Sequence, residues 1–550
     1  MTKRRRSKRT CTAETNSAVS VPRESKTAPI SGRQTRLRYS GVALSVILFA
    51  AIVFWWYRAQ HQPRTLSIDF EIPAASFGNL DEAKIHELCS HCHQFPSPTI
   101  LPRELWSTTI WQMYEEAGYG RTVRWRIAPE DLVNWYQDRA PERLDLSPVK
   151  AAPGANRIVF HKREIKSTVN VNPFVSHLEV ANIVGDDRPE VLICDMRNGA
   201  ILMAHTDTPD WTLDRIADVP NPARLCVADL DRDGHQDLLV AKLGSFLALD
   251  HNLGSVEWFR QVRDGEFERF TLADQLGRVA DIQEDDIDGD GDLDLLVAEF
   301  GWKSTGHLLV LENESLPDAV PEFKRHAIDG LAGANQVAAV DFNNDGQRDI
   351  VVLYSQGHEM VRCYVQRAKL QYEIADLYVA PHPAWGFTAF QLVDLDQDDD
   401  LDLLLSNGDM FDNSLIKPDH GIRWLENNGD LKFQPHHLAR MYGAYRAEAA
   451  DMDGDGDLDI VACALVEATN VAGSELGFEL DSIAFLEQTS PGNFAYQTLE
   501  SATTVHPTLT LADIDLDGAP DLLVGNGQLQ EVNESEKQVG VELWEVIRAN

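Results

Sequence analysis

Residues 279–297 read VADIQEDDIDGDGDLDLLV: a mixed stretch with Val279 and Ile282, the nonapeptide DIDGDGDLD (286–294), then an apolar stretch. Carboxylates occupy positions 1, 3, 5 and 9 of the nonapeptide, and a glycine occupies position 6. Hard oxygen ligands on a tightly turned loop suit Ca²⁺. Four like charges so close together repel strongly unless a cation joins them. The flanks are short and rich in β-branched residues, as strands are. The unit recurs as DLDRDGHQD (229–237), DFNNDGQRD (341–349), DLDQDDDLD (394–402), DMDGDGDLD (451–459) and DIDLDGAPD (513–521), with a worn copy, NIVGDDRPE, at 182–190. Successive copies start 47, 57, 55, 53, 57 and 62 residues apart, the mark of a repeat architecture.

The expected calcium ligands are Asp229, Asp231, Asp233 and Asp237; Asp286, Asp288, Asp290 and Asp294; and Asp341, Asn343, Asp345 and Asp349. The later copies add Asp394, Asp396, Asp398 and Asp402; Asp451, Asp453, Asp455 and Asp459; and Asp513, Asp515, Asp517 and Asp521. Asn343 weakens the third full copy. Asp399 replaces the glycine of the fourth, at a position where a positive φ strains any other residue. With Asn182, Val184 and Glu190, the worn copy is expected to hold no ion.

An EF-hand needs glutamate at position 12 and helices on both sides. Position 12 here is Val240, Val297, Val352, Leu405, Ala462 or Val524, and the flanks are strand-like. A strand–aspartate loop–strand unit of this length resembles FG-GAP or VCBS repeats, and the resemblance implies blades of a β-propeller with structural calcium. Seven units across residues 155–550, about 56 residues each, predict a seven-bladed ring. The last unit ends in GVELWEVIRAN without an outer strand of the FKRHAI type, whereas RIVFHKREI (157–165) precedes the first loop. These two features predict that residues 157–165 complete the last blade and close the ring, removing two exposed edges.

The chain is 550 residues long and carries a net charge of -38, which argues against nucleic acid as a partner. Residues 1–38 depart from this with eleven Lys/Arg and two Glu, a local +9 that leaves -47 for the rest. The uncharged run Tyr39 to Tyr57 follows, about 28 Å long as a helix, with Trp55, Trp56 and Tyr57 at one end. This predicts a basic cytoplasmic tail (1–38) and a single-pass inner-membrane signal anchor (39–57), with the bulk of the chain periplasmic. A cleaved signal peptide is the alternative, but no small-x-small site follows. Cys194, Cys226, Cys363 and Cys463 fall in apolar strand-like runs and are expected to be buried free thiols.

Residues 89–93 read Cys-Ser-His-Cys-His, or C-x-x-C-H. Two thiols at this spacing can form thioethers with the vinyl groups of one haem c, and the adjoining histidine reaches the iron. Cys89 and Cys92 are the expected attachment points and His93 the axial ligand. Met113, the single methionine between Gln94 and Lys150, is the candidate for the opposite side. Zinc binding by the CxxC and its neighbouring histidines lacks a second Cys pair. A thioredoxin-type redox pair lacks its βαβ context. Residues 66–148, with a last helix expected over 129–140, resemble a small class I-type cytochrome c domain.

Fold and function expectations follow from these segments. The chain is multidomain: an N-terminal transmembrane helix, a small all-α cytochrome c-like domain, and an all-β seven-bladed FG-GAP/VCBS propeller (155–550). Neither a GxSxG elbow, an HExxH helix nor a phosphate-binding GxxxxGK[ST] loop occurs. An electron carrier is favoured over a substrate-converting enzyme. Its haem domain serves a redox partner protein, while a calcium-braced propeller docks or positions it. The alternatives are a surface adhesion protein whose propeller binds a protein or glycan, and a propeller oxidoreductase passing electrons to haem. Five residues before the loop starts stand His177, Arg224, Asp281, Gln336, Ala389, Arg446 and Thr508, a row that a period-2 strand would aim one way. Such a row suits a small anion or a sugar in a central channel, or merely a hydrated lining.

Overall fold

The computed structural model describes residues 82–90, 93–119, 127–149, 158–167, 172–185, 188–206, 211–263, 265–315, 321–411, 415–466, 476–528 and 540–548. The basic tail, the expected anchor at 39–57, and Cys92 lie outside these residues. Among the described residues no helix is long and apolar enough to cross a membrane.

Residues 158–548 form seven antiparallel four-stranded blades. Blade 1 spans 175–218, blade 2 222–276, blade 3 279–329, blade 4 334–379, blade 5 387–440 and blade 6 444–501. Blade 7 combines three strands of 508–548 with a strand from the start of the ring. In each blade the innermost strand runs into the aspartate loop and the second strand leaves it. That second strand is buried on both faces, as in Asp294–Glu299, Asp349–Tyr354 and Asp402–Asn407. A strand sandwiched between two neighbouring blades must be apolar on both sides, which is why these segments read as continuous runs such as DLLVAE rather than as alternations. The outermost strands alternate, as in Gln371–Val379.

Hydrophobic cores lie between blades. One joins Leu192 and Cys194 of blade 1 to Leu238 and Val240 of blade 2. Five more repeat the arrangement between successive blades up to blade 7. The last joins Ile193 and Leu202 of blade 1 to Leu523 and Leu543 of blade 7, with Ile165 between them. Seven interfaces for seven blades mean a closed ring.

Closure is as the sequence predicts. Strand Ile158–Ser167 pairs antiparallel with Val541–Arg548, from Ile158 opposite Arg548 to Ile165 opposite Val541. Its last residues, Lys166 and Ser167, then pair in parallel with Thr212 and Leu213 of blade 1. The edge between first and last blades is therefore covered. Lys162 on this strand reaches both Glu500 of blade 6 (2.8 Å) and Glu542 of blade 7 (2.9 Å), and His506 Nε2 lies 2.7 Å from Glu500.

Among the described residues three α-helices precede the ring: α1 (Glu82–Cys89), α2 (Leu105–Tyr119) and α3 (Pro129–Gln137). They enclose a small core of Ile85, Cys89, Trp106, Ile110, Leu132 and Tyr136. Pro129 at the first turn of α3, with Glu130 and Asp131 beside it, starts that helix where an N–H is not needed and acids suit the dipole. Cys194, Cys226, Cys363 and Cys463 are buried free thiols, as expected.

Two stability outcomes follow. Truncating Ile165, which is 2% exposed in the closing core, to alanine should cost about 3 kcal/mol, read as a lowered urea midpoint. Burial opposes ionisation of Glu500, but hydrogen bonds from His506 and Lys162 more than offset it and hold the carboxyl down at about 2. A depressed folded-state pKa adds stability above the unfolded value near 4.3 and loses it as pH falls towards 2. The difference in Tm between wild type and E500Q should therefore be full above about pH 5 and vanish as pH falls from 4.3 to 2.

Candidate functional site

Each aspartate loop divides its carboxylates between two tasks. The position-nine carboxylate is buried: Asp237, Asp294, Asp349 and Asp402 are fully inaccessible. In blade 2, Asp237 accepts hydrogen bonds from Leu230 N (3.2 Å), Gln261 N (2.7 Å) and the Trp258 indole (2.9 Å). The same tie to the third strand recurs from Asn313 N to Asp294 (2.8 Å), Gln366 N to Asp349 (2.8 Å) and Asn427 N to Asp402 (2.7 Å). It appears again from Gln488 N to Asp459 (2.9 Å) and Val546 N to Asp521 (2.9 Å). Burial pushes Asp237, Asp402 and Asp521 up to about 6, and Asp294 and Asp459 to about 7, against the lowering effect of these hydrogen bonds.

The acids at positions one, three and five converge instead at the loop tip. Carboxylate oxygens of Asp229, Asp231 and Asp233 lie within 4.8 Å of one another, as do those of Asp286, Asp288 and Asp290. Asp451, Asp453 and Asp455, and Asp513, Asp515 and Asp517, form equivalent groups, whereas the 394–402 loop gathers Asp394 and Asp396 with the position-nine Asp402. The position-one carboxylate also orders the turn by accepting the position-six N–H, as Asp513 does from Gly518 (2.9 Å) and Asp394 from Asp399 (3.0 Å). Asp399 takes φ +75°, close to the +82° to +96° of Gly346 and Gly456 at the equivalent place, so the strain expected there is real. The loop with Asp341, Asn343 and Asp345 follows the same turn, with an amide in place of one acid. In the worn copy Glu190 still receives Ile183 N (2.8 Å), but the tip has no acid at positions one or three.

These donor sets fit a hard cation. Oxygens of Asp229, Asp231, Asp396 and Asp521 are buried without a hydrogen-bond partner, which is costly for a carboxylate. The loops are not equivalent, however. The Arg260 guanidinium contacts Asp231 and lies 2.8 Å from Asp233, and Lys369 lies 2.6 Å from Asp288. Among the described residues no lysine or arginine pairs with Asp394, Asp396, Asp398, Asp513, Asp515 or Asp517. Neither cation was visible in the sequence, because Arg260 arrives from the third strand of its blade and Lys369 from a hairpin turn of the next blade. Nor did the sequence mark the amides Gln261, Asn313, Asn427 and Gln488, which cap the carbonyl preceding the position-nine acid.

Cys89 ends α1 buried, its thiol against the Tyr136 hydroxyl, and burial pushes that thiol up. Met113, on α2, packs on the same core, and His93 is half-buried with Nδ1 2.7 Å from Gln94 O. His86 stacks on Phe95 at 3.6 Å. This segment docks on the ring. Gln94 donates to His358 O in blade 4, and Leu415 of blade 5 joins the helical core. Ser147 exchanges hydrogen bonds with Tyr442.

On that same face, opposite the aspartate loops, a cavity of about 480 Å³ opens at the ring centre. Arg224, Ala389, Arg446 and Thr508 of the predicted row line it. His177 and Asp281 are buried, and Gln336 instead exchanges two hydrogen bonds with Phe390 of the next blade. A uniform period-2 row is not what forms. Six innermost strands carry a one-residue bulge, at Ser176, Ala223, Ala280, Asn335, Thr388 and Tyr445, and every bulged residue lines the cavity. A bulge turns two consecutive residues to one side. Arg278 also faces the cavity, although it lies outside the row.

Residues 286–352, 341–405 and 407–462 match the model of the FG-GAP-like repeat family. These segments are FG-GAP-like repeats. No curated protein matches the chain. Among solved structures, BBS1N in complex with ARL6DN is similar at 11% identity, over 70% of this chain and 96% of that one, with a TM-score of 0.40. An ancestral GH74 enzyme is similar at 10% identity over 70% of this chain and 51% of that one, with a TM-score of 0.44.

Replacing Asp237 with alanine strands three buried donors and should cost about 3 kcal/mol, read as a fall in urea midpoint with calcium or with chelator alike. D237N, which keeps one acceptor, should cost less.

Proposed function

We propose that this FG-GAP propeller is a calcium-braced interaction module carrying a covalently haem-bearing electron-transfer segment, held at the periplasmic face of the inner membrane by residues 39–57. The observation that carries the reading is Cys89, the first cysteine of C-x-x-C-H, buried at the end of α1 in a core that also holds Met113, with the segment docked on the ring. Cys89 and Cys92 would hold the haem covalently, and His93 and Met113 would offer ligands to its iron. When bound, the haem supplies reversible one-electron chemistry. The chain's own residues do the rest. Trp106 and Tyr136, fully buried and stacked at 4.0 Å, exclude water from the helical core. The ring fixes the segment through His358, Leu415 and Tyr442, leaving the remaining surface for a redox partner protein.

Calcium at the loop tips neutralises the clustered acids, and the strongest sites are those at 394–402 and 513–521, where no arginine or lysine competes. A second reading, a propeller oxidoreductase handing electrons to the haem, is favoured by one observation: the central cavity opens on the face where the helical segment docks. A glycan- or protein-binding adhesin remains the reading if no haem is found.

Purified, membrane-extracted protein should show a thioether haemochrome in alkaline pyridine and a reversible dithionite-induced absorption change. A polypeptide mass equal to the bare chain would sink the haem assignment. Chelation should lower the melting temperature of the ring while leaving the haem spectrum intact. D515N should shrink that chelator-dependent shift, read by calorimetry with and without EGTA.

A further inference from the structure

The geometry points to the central cavity as a binding site for a small organic carboxylate with an aromatic or similarly flat apolar body. Three guanidiniums converge on it from three blades: Arg224 from blade 2, Arg278 at the start of blade 3 and Arg446 from blade 6. Two of them are matched. Arg446 lies 2.7 Å from Glu448, and Arg224 lies 3.6 Å from the buried Asp281. Both counter-ions are committed elsewhere as well, Asp281 to Val337 N (3.0 Å) and Glu448 to Leu511 N (3.0 Å).

Arg278 is different. Among the described residues it forms no ion pair, and its Nε is buried without a hydrogen-bond acceptor. It lies over the Phe300 ring at 5.3 Å, which fixes the guanidinium plane but supplies no acceptor. A buried guanidinium donor without a partner is costly, and a carboxylate matches its planar fork in two hydrogen bonds. Burial pushes both Arg224 and Arg278 below the ordinary arginine range, which an arriving anion would reverse. Asp409 also lines the cavity, so the site is suited to one carboxylate group rather than to a polyanion.

Aromatic side chains make up much of the rest of the wall, beside polar Ser176, Asn335, Thr388 and Thr508. Phe174, Phe246, Phe300, Trp302, Phe387 and Phe411 surround the arginines. Phe246 and Phe174 meet edge-on at 5.5 Å, and Phe411 lies 6.1 Å from Tyr445. At the lip Leu247 is 66% exposed. A cavity of about 480 Å³ with a few convergent polar groups in an aromatic wall matches the size and chemistry of a small-molecule site. A neutral sugar would leave the Arg278 charge uncompensated, and inorganic phosphate would leave the aromatic wall wet. The inference is independent of the haem assignment, since none of Cys89, His93 and Met113 lines the cavity.

The test uses the full chain and naphthalene-2-carboxylate as probe, with naphthalene-2-carboxamide and inorganic phosphate as controls, followed by titration calorimetry. One naphthoate per chain should bind, at least tenfold more tightly than either control. R278Q should weaken it at least tenfold and R278K by less, because lysine keeps the charge and loses the fork. Melting temperatures of both variants are measured alongside; if R278Q is destabilised, R278K carries the comparison. Absence of saturable binding, equal binding of the carboxamide, or unchanged affinity in both variants would overturn the assignment. Phosphate binding as tight as naphthoate would do the same.

Discussion

The fold rests on a buried carboxylate repeated around the ring. In six blades the ninth residue of the aspartate loop is sealed from solvent and receives a backbone N–H from the third strand, 2.7–2.9 Å away, as in Asp402 with Asn427 and Asp459 with Gln488. A buried carboxylate is tolerable only where such donors replace water. Once it is in place, the loop is fixed to the strand behind it and the three acids ahead of it are held at the tip. The acids are therefore gathered at the tip by the pin beneath them. Blade 1 shows the two roles coming apart. Glu190 stays buried and accepts from Ile183 N and Val184 N of its own loop, while positions one and three of the tip carry no acid.

The tips, once fixed, meet their charge problem in different ways. Arg260 serves Asp231 and Asp233, and Lys369 serves Asp288, so these two loops carry part of their compensation within the chain. In the Arg260–Asp231 and Lys369–Asp288 pairs the carboxylate is buried but the cation stays in reach of water, which screens the attraction. A divalent cation coordinated by several oxygens in one step is a much stronger answer. Loops with a resident Arg or Lys thus ask less of the ion than the loops at 394–402 and 513–521. The loops are consequently not equivalent as candidate cation sites, although the repeat makes them look alike.

Much of this was legible in the sequence because the signals are local and repeated. The D-x-D-x-D-G-x-x-D spacing set the blade count, and the missing outer strand after Trp544 together with the orphan strand around Phe160 announced the closure. The helical segment was legible as helices flanking C-x-x-C-H. What escaped are consequences of register and of tertiary approach. Nothing in PARLCVA announces a bulge at Ala223, yet that bulge decides that Arg224 shares a wall with its neighbour. Arg260 and Lys369 reach their loops across the blade surface, and Gln336 is spent on Phe390 rather than on the channel. Arg278 stands outside the predicted row, three residues before Asp281, and only folding brings it to the cavity.

The two faces of the ring therefore have opposite chemistry for one structural reason. Where the innermost strands end, the chain must turn sharply, and acids on that turn are held by backbone amides. Where they begin, the bulges open the strands and turn small residues, arginines and Tyr445 towards the axis. In a chain of net charge -38, most exposed positions repel anions. An arginine without a carboxylate partner is out of place in such a protein unless something else meets it. The face that carries it is also the face on which the helical segment is fixed, by His358 and Leu415, beside Gln356 and Phe411 of the cavity wall. A ligand in the cavity and a redox group in the segment would thus be neighbours without sharing a residue, so each can be removed while the other is left to report.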